Sequence, residues 1–175
     1  MSTVYINIGF PGSGKSTMSN KLVEDIKNNI IIINRDSFRT MIKGGIYTFD
    51  FKFEPFIKQA TNKAIECALE YGLDIIVDET HIKRERRMEI IKVVKDFEAS
   101  YGLVTDEYGR TQIVYKWYTE NKHNLKYRMR DARGYETAKW AQVINGMKKS
   151  FEEPTADEGY DRIEKINPFE QEVKK

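Results

Sequence analysis

A glycine-rich stretch near the start of the chain limits its possible folds more than any other feature: Gly9-Phe10-Pro11-Gly12-Ser13-Gly14-Lys15-Ser16-Thr17. It matches the pattern G-x-x-x-x-G-K-[ST], in which backbone N–H groups surround a phosphate. A short apolar, β-prone run at 4–8 precedes the stretch, and apolar residues at helical spacing follow it. The order strand, glycine turn, helix predicts a phosphate-binding loop inside an α/β domain.

The residue types in this loop suggest how it holds a nucleotide. Glycines allow backbone conformations that a side chain would block, so successive N–H groups can turn towards a phosphate. The helix N-terminus adds a partial positive charge. We expect Lys15 to reach the β- and γ-phosphates of ATP and the Ser16 hydroxyl to bind Mg²⁺. A turn that binds nothing is the alternative, and the lysine in register disfavours it. The expected nucleotide-binding residues are Pro11, Gly12, Ser13, Gly14, Lys15, Ser16 and Thr17.

Size and composition fit one domain without a membrane segment. The 175 residues can build one core, and a formal net charge of +2 with 32% charged residues does not imply bulk nucleic-acid binding. Any polynucleotide contact must then come from a local basic patch. The single cysteine, Cys67, excludes an internal disulfide, and we expect its thiol to be buried beside Ala64 and Ala68. No signal-peptide pattern or membrane-spanning run is visible, so we expect a cytoplasmic protein.

Strands alternate with helices along the chain, which predicts a five-stranded parallel P-loop kinase sheet covered by helices on both faces. We expect a small β-hairpin insertion near 103–114, whose second arm continues as a strand of the main sheet. We also expect one domain at 1–170, with a lid segment at about 126–137 and a polar tail at 171–175. The predicted strands are 4–8, 29–34, 74–78, 111–118 and 162–166, and the predicted helices are 15–27, 55–71, 83–99, 122–133 and 137–151.

Charged residues follow the second predicted strand, in the run Asn34-Arg35-Asp36-Ser37-Phe38-Arg39. Ligands of open α/β sheets bind beyond the carboxyl ends of the strands, so this run should lie near the phosphate loop. Asp36 can accept a proton from an attacking hydroxyl, and Arg35 and Arg39 can hold an anionic acceptor. The alternative is that Asp36 caps the next helix and the arginines are solvated. From these residues alone, both readings stay open.

The third predicted strand ends in Asp78-Glu79-Thr80-His81. An acidic residue in this position, paired with a phosphate loop, can hold Mg²⁺ directly or through water. We therefore expect Asp78 to be a metal ligand and Thr80 and His81 to face the cleft as acceptor contacts. A structural histidine is the alternative for His81, and its spacing to His123 does not suggest zinc.

Two basic clusters follow. Arg84, Arg86 and Arg87 predict either a solvated helix face or a polynucleotide-binding edge. Further along, the arginines at 128, 130 and 133 crowd one segment that ends in Arg133-Gly134. An arginine on a mobile segment can stabilise the charge that develops during phosphoryl transfer, although arginines at such spacings are also ordinary on exposed helices.

Together these segments resemble the kinase domain of phage-type 5′-polynucleotide kinases. The resemblance rests on the phosphate loop, on Asn34-Arg35-Asp36 with Arg39, and on the segment from Asp78 to His81. It implies ATP and Mg²⁺ as cofactors and a nucleic acid with a 5′-hydroxyl end as partner. It makes Asp36 the general base, has Arg39 contact the acceptor phosphate and puts Thr80 near the acceptor. The implied lid residues are Arg133, as a catalytic arginine, and Arg130, as a nucleotide contact, with Arg128 as another possibility.

Three functions remain open at this point. The first is transfer of the γ-phosphoryl group of ATP to a nucleic-acid 5′-hydroxyl. The second is a kinase of the same fold that acts on a nucleoside, a sugar or another small molecule, and the shared ATP machinery does not separate the two. The third is a nucleic-acid-stimulated ATPase or binding module, in which Asp78-Glu79 would serve hydrolysis and Asp36 would have no role.

Overall fold

The computed structural model describes residues 2–26, 29–102, 110–119 and 137–168. Within this part of the chain, no helix has the length and apolar character needed to cross a bilayer. The strands are β1 (Thr3–Ile8), β2 (Ile30–Ile33), β3 (Asp74–Val77), β4 (Gln112–Tyr118) and β5 (Arg162–Ile166). The helices are α1 (Lys15–Ile26), α2 (Arg35–Ile42), α3 (Glu54–Glu70), α4 (Arg84–Ser100) and α5 (Thr137–Lys149), with a 3₁₀ turn at Ala156–Glu158.

The five strands form one parallel sheet in the order β2-β3-β1-β4-β5. β1 lies at its centre, where Ile6 is opposite Val77 of β3 and Tyr115 of β4. This confirms the predicted five-stranded parallel sheet. The chain returns to the same edge after each strand, so the loops that follow β1, β2 and β3 meet at the carboxyl end of the sheet.

Helices cover both faces of the sheet. The central strand β1 packs against α3 and α4 on its apolar side and contacts α1 on its other side. Val4, Ile6 and Ile8 belong to the main core, which also includes Ile65 of α3 and Ile90 of α4. Side chains alternate along a strand, so Asn7 points to the opposite face. There its Nδ2 donates to Ser19 Oγ of α1 at 2.9 Å.

The prediction of a buried Cys67 thiol is wrong, because the side chain is exposed. The buried face of α3 is formed by Ile57, Thr61, Ile65, Ala68 and Leu69. At 100° per residue, position 67 lies well away from this stripe. Neighbouring alanines suggested an apolar side in the sequence, but the β-branched residues and Leu69 define the face that packs on the sheet.

Some predictions fall outside the described residues. These are the first arm of the hairpin at 103–105 with nearly all of its turn, the helix at 122–133, nearly all of the lid segment and the tail at 171–175. The second arm of the hairpin is described and is part of β4, parallel to both β1 and β5. The single domain at 1–170 stays a prediction.

Candidate nucleotide and acceptor site

The phosphate loop joins β1 to α1 at the centre of the sheet, and two of its glycines have no substitute. Gly14 has φ +87°, and a Cβ there would lie 3.0 Å from Pro168 Cγ. A Cβ at Gly9 would lie 2.9 Å from the carbonyl oxygen of Tyr118. Both positions therefore exclude a side chain by close approach, and Gly14 also by its left-handed backbone. The loop is tightly held between the ends of β4 and β5.

The ammonium group of Lys15 lies within the curve of this loop. Its Nζ donates to the carbonyl oxygens of Gly9 at 3.0 Å and Phe10 at 2.8 Å, and it lies 3.4 Å from Ser13 Oγ. Lys15 is the first residue of α1 and is almost fully buried. A positive charge is thus held at a helix N-terminus, which is the arrangement that attracts phosphate groups.

The residues expected to hold Mg²⁺ are a hydroxyl on α1 and a carboxylate after β3. Ser16 lies in the first turn of α1 and is exposed. Asp78 Oδ1 accepts a hydrogen bond from Asn7 Nδ2 at 2.8 Å, which fixes the carboxylate against β1. Burial raises the pKa of Tyr118, and the nearby Asp78 carboxylate raises it further. Hydroxyl and carboxylate oxygens suit Mg²⁺, which completes its octahedron with water and substrate phosphates.

A backbone contact joins the segment after β3 to the phosphate loop. The N–H of Gly9 donates to the carbonyl oxygen of Thr80 at 2.9 Å. The next residue, His81, has φ +39° and is buried. Its Nδ1 lies 2.8 Å from the carbonyl oxygen of Asn7 and must be the donor there, because a carbonyl only accepts. Burial lowers the pKa of His81, which keeps the ring neutral. Acceptor contact by Thr80 and His81 stays a prediction, and the ring of His81 fits its structural alternative.

Asp36 lies in the first turn of α2, directly beyond the end of β2. It is not the helix cap, because Asn34 caps α2 through a 2.7 Å bond from the N–H of Ser37. The Asp36 side chain is 43% exposed, and its Oδ1 accepts a 2.6 Å hydrogen bond from Arg39 Nη1. The carboxylate is thus oriented and accessible at the same time, as a general base must be.

Arg39 is shared between two carboxylates. Its Nε and Nη2 donate to the two oxygens of Glu54, at 2.8 and 2.7 Å, while Nη1 holds Asp36. The hydrogen bonds that Arg39 donates to Glu54 are the main cause of its raised pKa, and burial opposes them. Arg39 is largely buried, so the alternative of a solvated arginine does not apply. A fixed guanidinium beside the predicted base suits an anionic acceptor.

Arg35 has a different position from the one expected for an acceptor contact. It is buried, with Nη2 3.2 Å from a Glu89 oxygen and Nε 3.6 Å from Glu79. Its backbone N–H also donates to Glu79 Oε1 at 3.2 Å. These contacts join α2 to the end of β3 and to α4. They favour a structural bridge, and the role of Arg35 in acceptor binding stays a prediction.

The basic run of α4 fits neither a solvated face nor a nucleic-acid edge as a whole. Arg87 is fully buried, and its Nε and Nη2 each lie 2.7 Å from an oxygen of the equally buried Glu158. Arg84 pairs with Asp157, and Arg86 with Glu89. The sequence held one signal of this arrangement, because Arg87 is three residues before the buried Ile90.

The lid arginines lie outside the described residues, so the roles of Arg128, Arg130 and Arg133 stay predictions. The segment after β5 is described only as far as Pro168, which lies against Gly14.

The predicted residues that the structure brings to this end of the sheet are the phosphate loop, Asp36 with Arg39, and the segment from Asp78 to His81. Glu54, which holds Arg39, was missed by sequence reasoning because it follows a loop without regular structure.

Two curated proteins are similar over nearly the whole chain. The L-seryl-tRNA(Sec) kinase of Methanococcus maripaludis is 25% identical over 162 residues, which are 90% of this chain and 56% of that protein. The bifunctional polynucleotide phosphatase/kinase of Schizosaccharomyces pombe is 24% identical over 170 residues, or 95% of this chain and 33% of that protein. The chain thus spans about half the length of the first relative and about a third of the length of the second.

Solved structures and a family model agree with the fold. A protein from Chloroflexus aurantiacus, described as a candidate kinase, has a TM-score of 0.65 and 13% identity, with 97% of this chain and 88% of that chain covered. The likeness shows the P-loop kinase-like fold. The model of the AAA domain family matches residues 4–154, which include the phosphate loop, Asp36 and the segment after β3. The chain therefore belongs to the AAA domain family and has a P-loop kinase-like fold.

Proposed function

We propose that this chain is an ATP-dependent kinase that transfers the γ-phosphoryl group of ATP to the 5′-hydroxyl end of a nucleic acid. The observation that carries the proposal is the contact between Asp36 and Arg39 at the carboxyl end of β2. It combines an accessible carboxylate with a guanidinium that Glu54 fixes in place. A hydroxyl next to a phosphate, as at a nucleic-acid 5′ end, needs a base and an anion-binding group side by side.

The phosphate loop supplies the ATP side of this proposal. Lys15 and the loop N–H groups bind the phosphates, and Ser16 with Asp78 would hold Mg²⁺, which neutralises charge on the β- and γ-phosphates. Asp36 accepts the proton of the attacking hydroxyl while the new O–P bond forms. The bond between the γ-phosphorus and the bridging oxygen breaks, and ADP leaves. Arg133 is the proposed lid arginine, and Arg130 is a proposed nucleotide contact.

The assignment of a nucleic acid as acceptor is supported by the charge of Arg39 and by the names of the relatives. Arg39 offers a planar, permanently charged group suited to phosphate. The two curated relatives are named for a tRNA-bound and a polynucleotide substrate. Kinases for small molecules share the same fold, so the acceptor has to be decided by measurement.

An acceptor panel with labelled ATP tests this proposal. It includes single-stranded DNA and RNA with a free 5′-hydroxyl, the same strands with a 5′-phosphate, nucleosides and simple sugars. We expect label on the 5′-hydroxyl strands, and none on the 5′-phosphorylated strands. Lys15→Met should abolish transfer, whereas Lys21→Met, on the exposed side of α1, should not. Preference for a nucleoside or sugar would contradict the nucleic-acid acceptor, and ATP hydrolysis without transfer would contradict the kinase.

A further inference from the structure

The loop between α2 and α3 exposes large aromatic side chains close to the proposed base. Phe49 is 50% exposed and Phe51 is 82% exposed. Their rings meet edge to face, with centroids 4.9 Å apart and an interplanar angle of 82°. We call these two residues the aromatic pair. Single exposed apolar residues are ordinary, but two in mutual contact beside a proposed active site form a candidate binding surface.

The loop has a defined conformation, so the exposure of the pair is built into the fold. The N–H of Gly45 donates to the carbonyl of Thr40 at 3.0 Å, which closes the end of α2. Asp50 organises the other end, where its Oδ1 accepts from the N–H of Lys52 at 2.9 Å and its carbonyl accepts from that of Phe53 at 3.0 Å. The aromatic pair lies between these two fixed points.

One guanidinium group joins the aromatic pair to the proposed base. The Cζ of Arg39 lies 5.5 Å from the centre of the Phe49 ring, and its Nη1 lies 2.6 Å from Asp36 Oδ1. The proton acceptor, an anion-binding group and an aromatic surface are therefore consecutive. A nucleic-acid 5′ end presents matching groups, because its hydroxyl and first base belong to one nucleoside and the first phosphate follows that nucleoside.

Two exposed lysines on the loop, with one exposed aspartate between them, offer local contacts for a nucleic-acid backbone. Lys43 and Lys52 are exposed on the loop, and Lys52 Nζ lies 5.9 Å from the centre of the Phe53 ring. Basic groups that track a backbone, interleaved with aromatic rings on which bases stack, are the means by which proteins hold single strands.

We propose that the aromatic pair stacks a base at the 5′ end of a single-stranded acceptor, while Arg39 holds the adjoining phosphate. This inference rests on the proposed function and narrows its substrate to strands with an unpaired end. The interaction is independent of base identity, because every base has a π-face. Removing this base, or pairing it in a blunt duplex, removes the stacking interaction.

The test compares binding of 3′-labelled 5′-hydroxyl oligonucleotides to the full chain by fluorescence anisotropy. One oligonucleotide is intact, and its counterpart lacks the bases of its 5′-terminal nucleotides. We expect Phe51→Ala to weaken binding of the intact strand about tenfold and binding of the abasic strand hardly at all. Phe51→Trp should restore binding. Phe56→Ala, which removes a 57% exposed ring outside the pair, is the matched control and should bind both strands normally.

The outcomes separate this inference from the proposed function. If the wild-type chain phosphorylates the intact strand but Phe51→Ala binds it as tightly as wild type, stacking by the pair is wrong and the kinase stands. If the wild-type chain neither binds nor phosphorylates any strand, both are wrong. A change of oligomeric state in Phe51→Ala, measured by sedimentation, would identify the pair as a contact between copies and overturn the inference.

Discussion

Arg87 and Glu158 form a two-point ion pair inside the core, with both nitrogen–oxygen distances at 2.7 Å. The hydroxyl of Tyr115 donates a third hydrogen bond to the same carboxylate at 2.8 Å. Arg87 Nη1 also donates to the carbonyl oxygen of His81 at 3.1 Å. The pair therefore joins α4 and the 3₁₀ turn to the segment that holds the phosphate loop.

We predict that breaking this pair costs about 3–5 kcal/mol of unfolding free energy, because the remaining charge is left buried without its partner. Denaturant unfolding of Arg87→Met and Glu158→Gln measures it. Arg84→Met is the matched control, because it breaks the exposed pair with Asp157 and should lower the unfolding free energy far less. Similar losses in all three variants would contradict a special role for the buried pair.

We predict that acid lowers the unfolding free energy of the protein because it protonates the Glu89 carboxylate. Partial burial alone would raise the pKa of this carboxyl, but hydrogen bonds from Lys58, Arg86 and Arg35 outweigh it and lower the pKa to about 2. The unfolded chain then binds more protons than the folded one between about pH 4.5 and 2. The stabilisation is present above this window and is lost as the pH falls through it.

We expect the Glu89→Gln variant to show a flatter dependence of unfolding free energy on pH below about 4.5. Chemical unfolding at a series of pH values measures the slope. Glu66→Gln, which removes an exposed carboxylate paired with Lys63 on α3, is the control and should keep the wild-type slope. An unchanged slope in Glu89→Gln would show that Glu89 has no part in acid unfolding.

Gly14→Ala should abolish nucleotide binding. The added Cβ meets Pro168 at 3.0 Å, and φ +87° is strained for alanine, so the loop must change shape. Calorimetric titration with ATP measures the loss, which we expect to exceed tenfold. Gly146→Ala in α5 has open space around the Cβ and should instead gain up to about 1 kcal/mol of stability without affecting ATP binding. Normal ATP affinity in Gly14→Ala would contradict this account of the loop.

Local sequence patterns predicted the parallel sheet and the position of the phosphate loop. Apolar runs became the first four strands, an alternating run of charged and apolar residues became β5, and the order of glycines, lysine and serine located the turn between β1 and α1. These features depend on neighbours in sequence, and a short β-branched run between polar residues has few alternatives to a strand. How far such a strand is buried depends on the sheet order: β2 is at the edge, and its Ile31 is 38% exposed.

Long-range pairing was not visible in the sequence. Helical spacing puts Arg87 on the buried face of α4, but Glu158 is 71 positions away, so nothing local identifies the carboxylate that neutralises the arginine. Arg35 similarly reaches Glu89 from another helix. For Cys67, the helical phase was readable, but the choice of buried stripe depended on how α3 packs against the sheet.

The rate of phosphoryl transfer by Asp36→Asn tests the central claim most directly. A single-turnover assay with saturating ATP and a 5′-hydroxyl strand should show a fall of about 10²- to 10⁴-fold, because the amide cannot accept the proton. ATP affinity should be unchanged. Asp25→Asn on the exposed side of α1 is the control, and Glu54→Gln separates loss of the base from disturbance of Arg39. Transfer at the full wild-type rate in Asp36→Asn would contradict the assignment of the base.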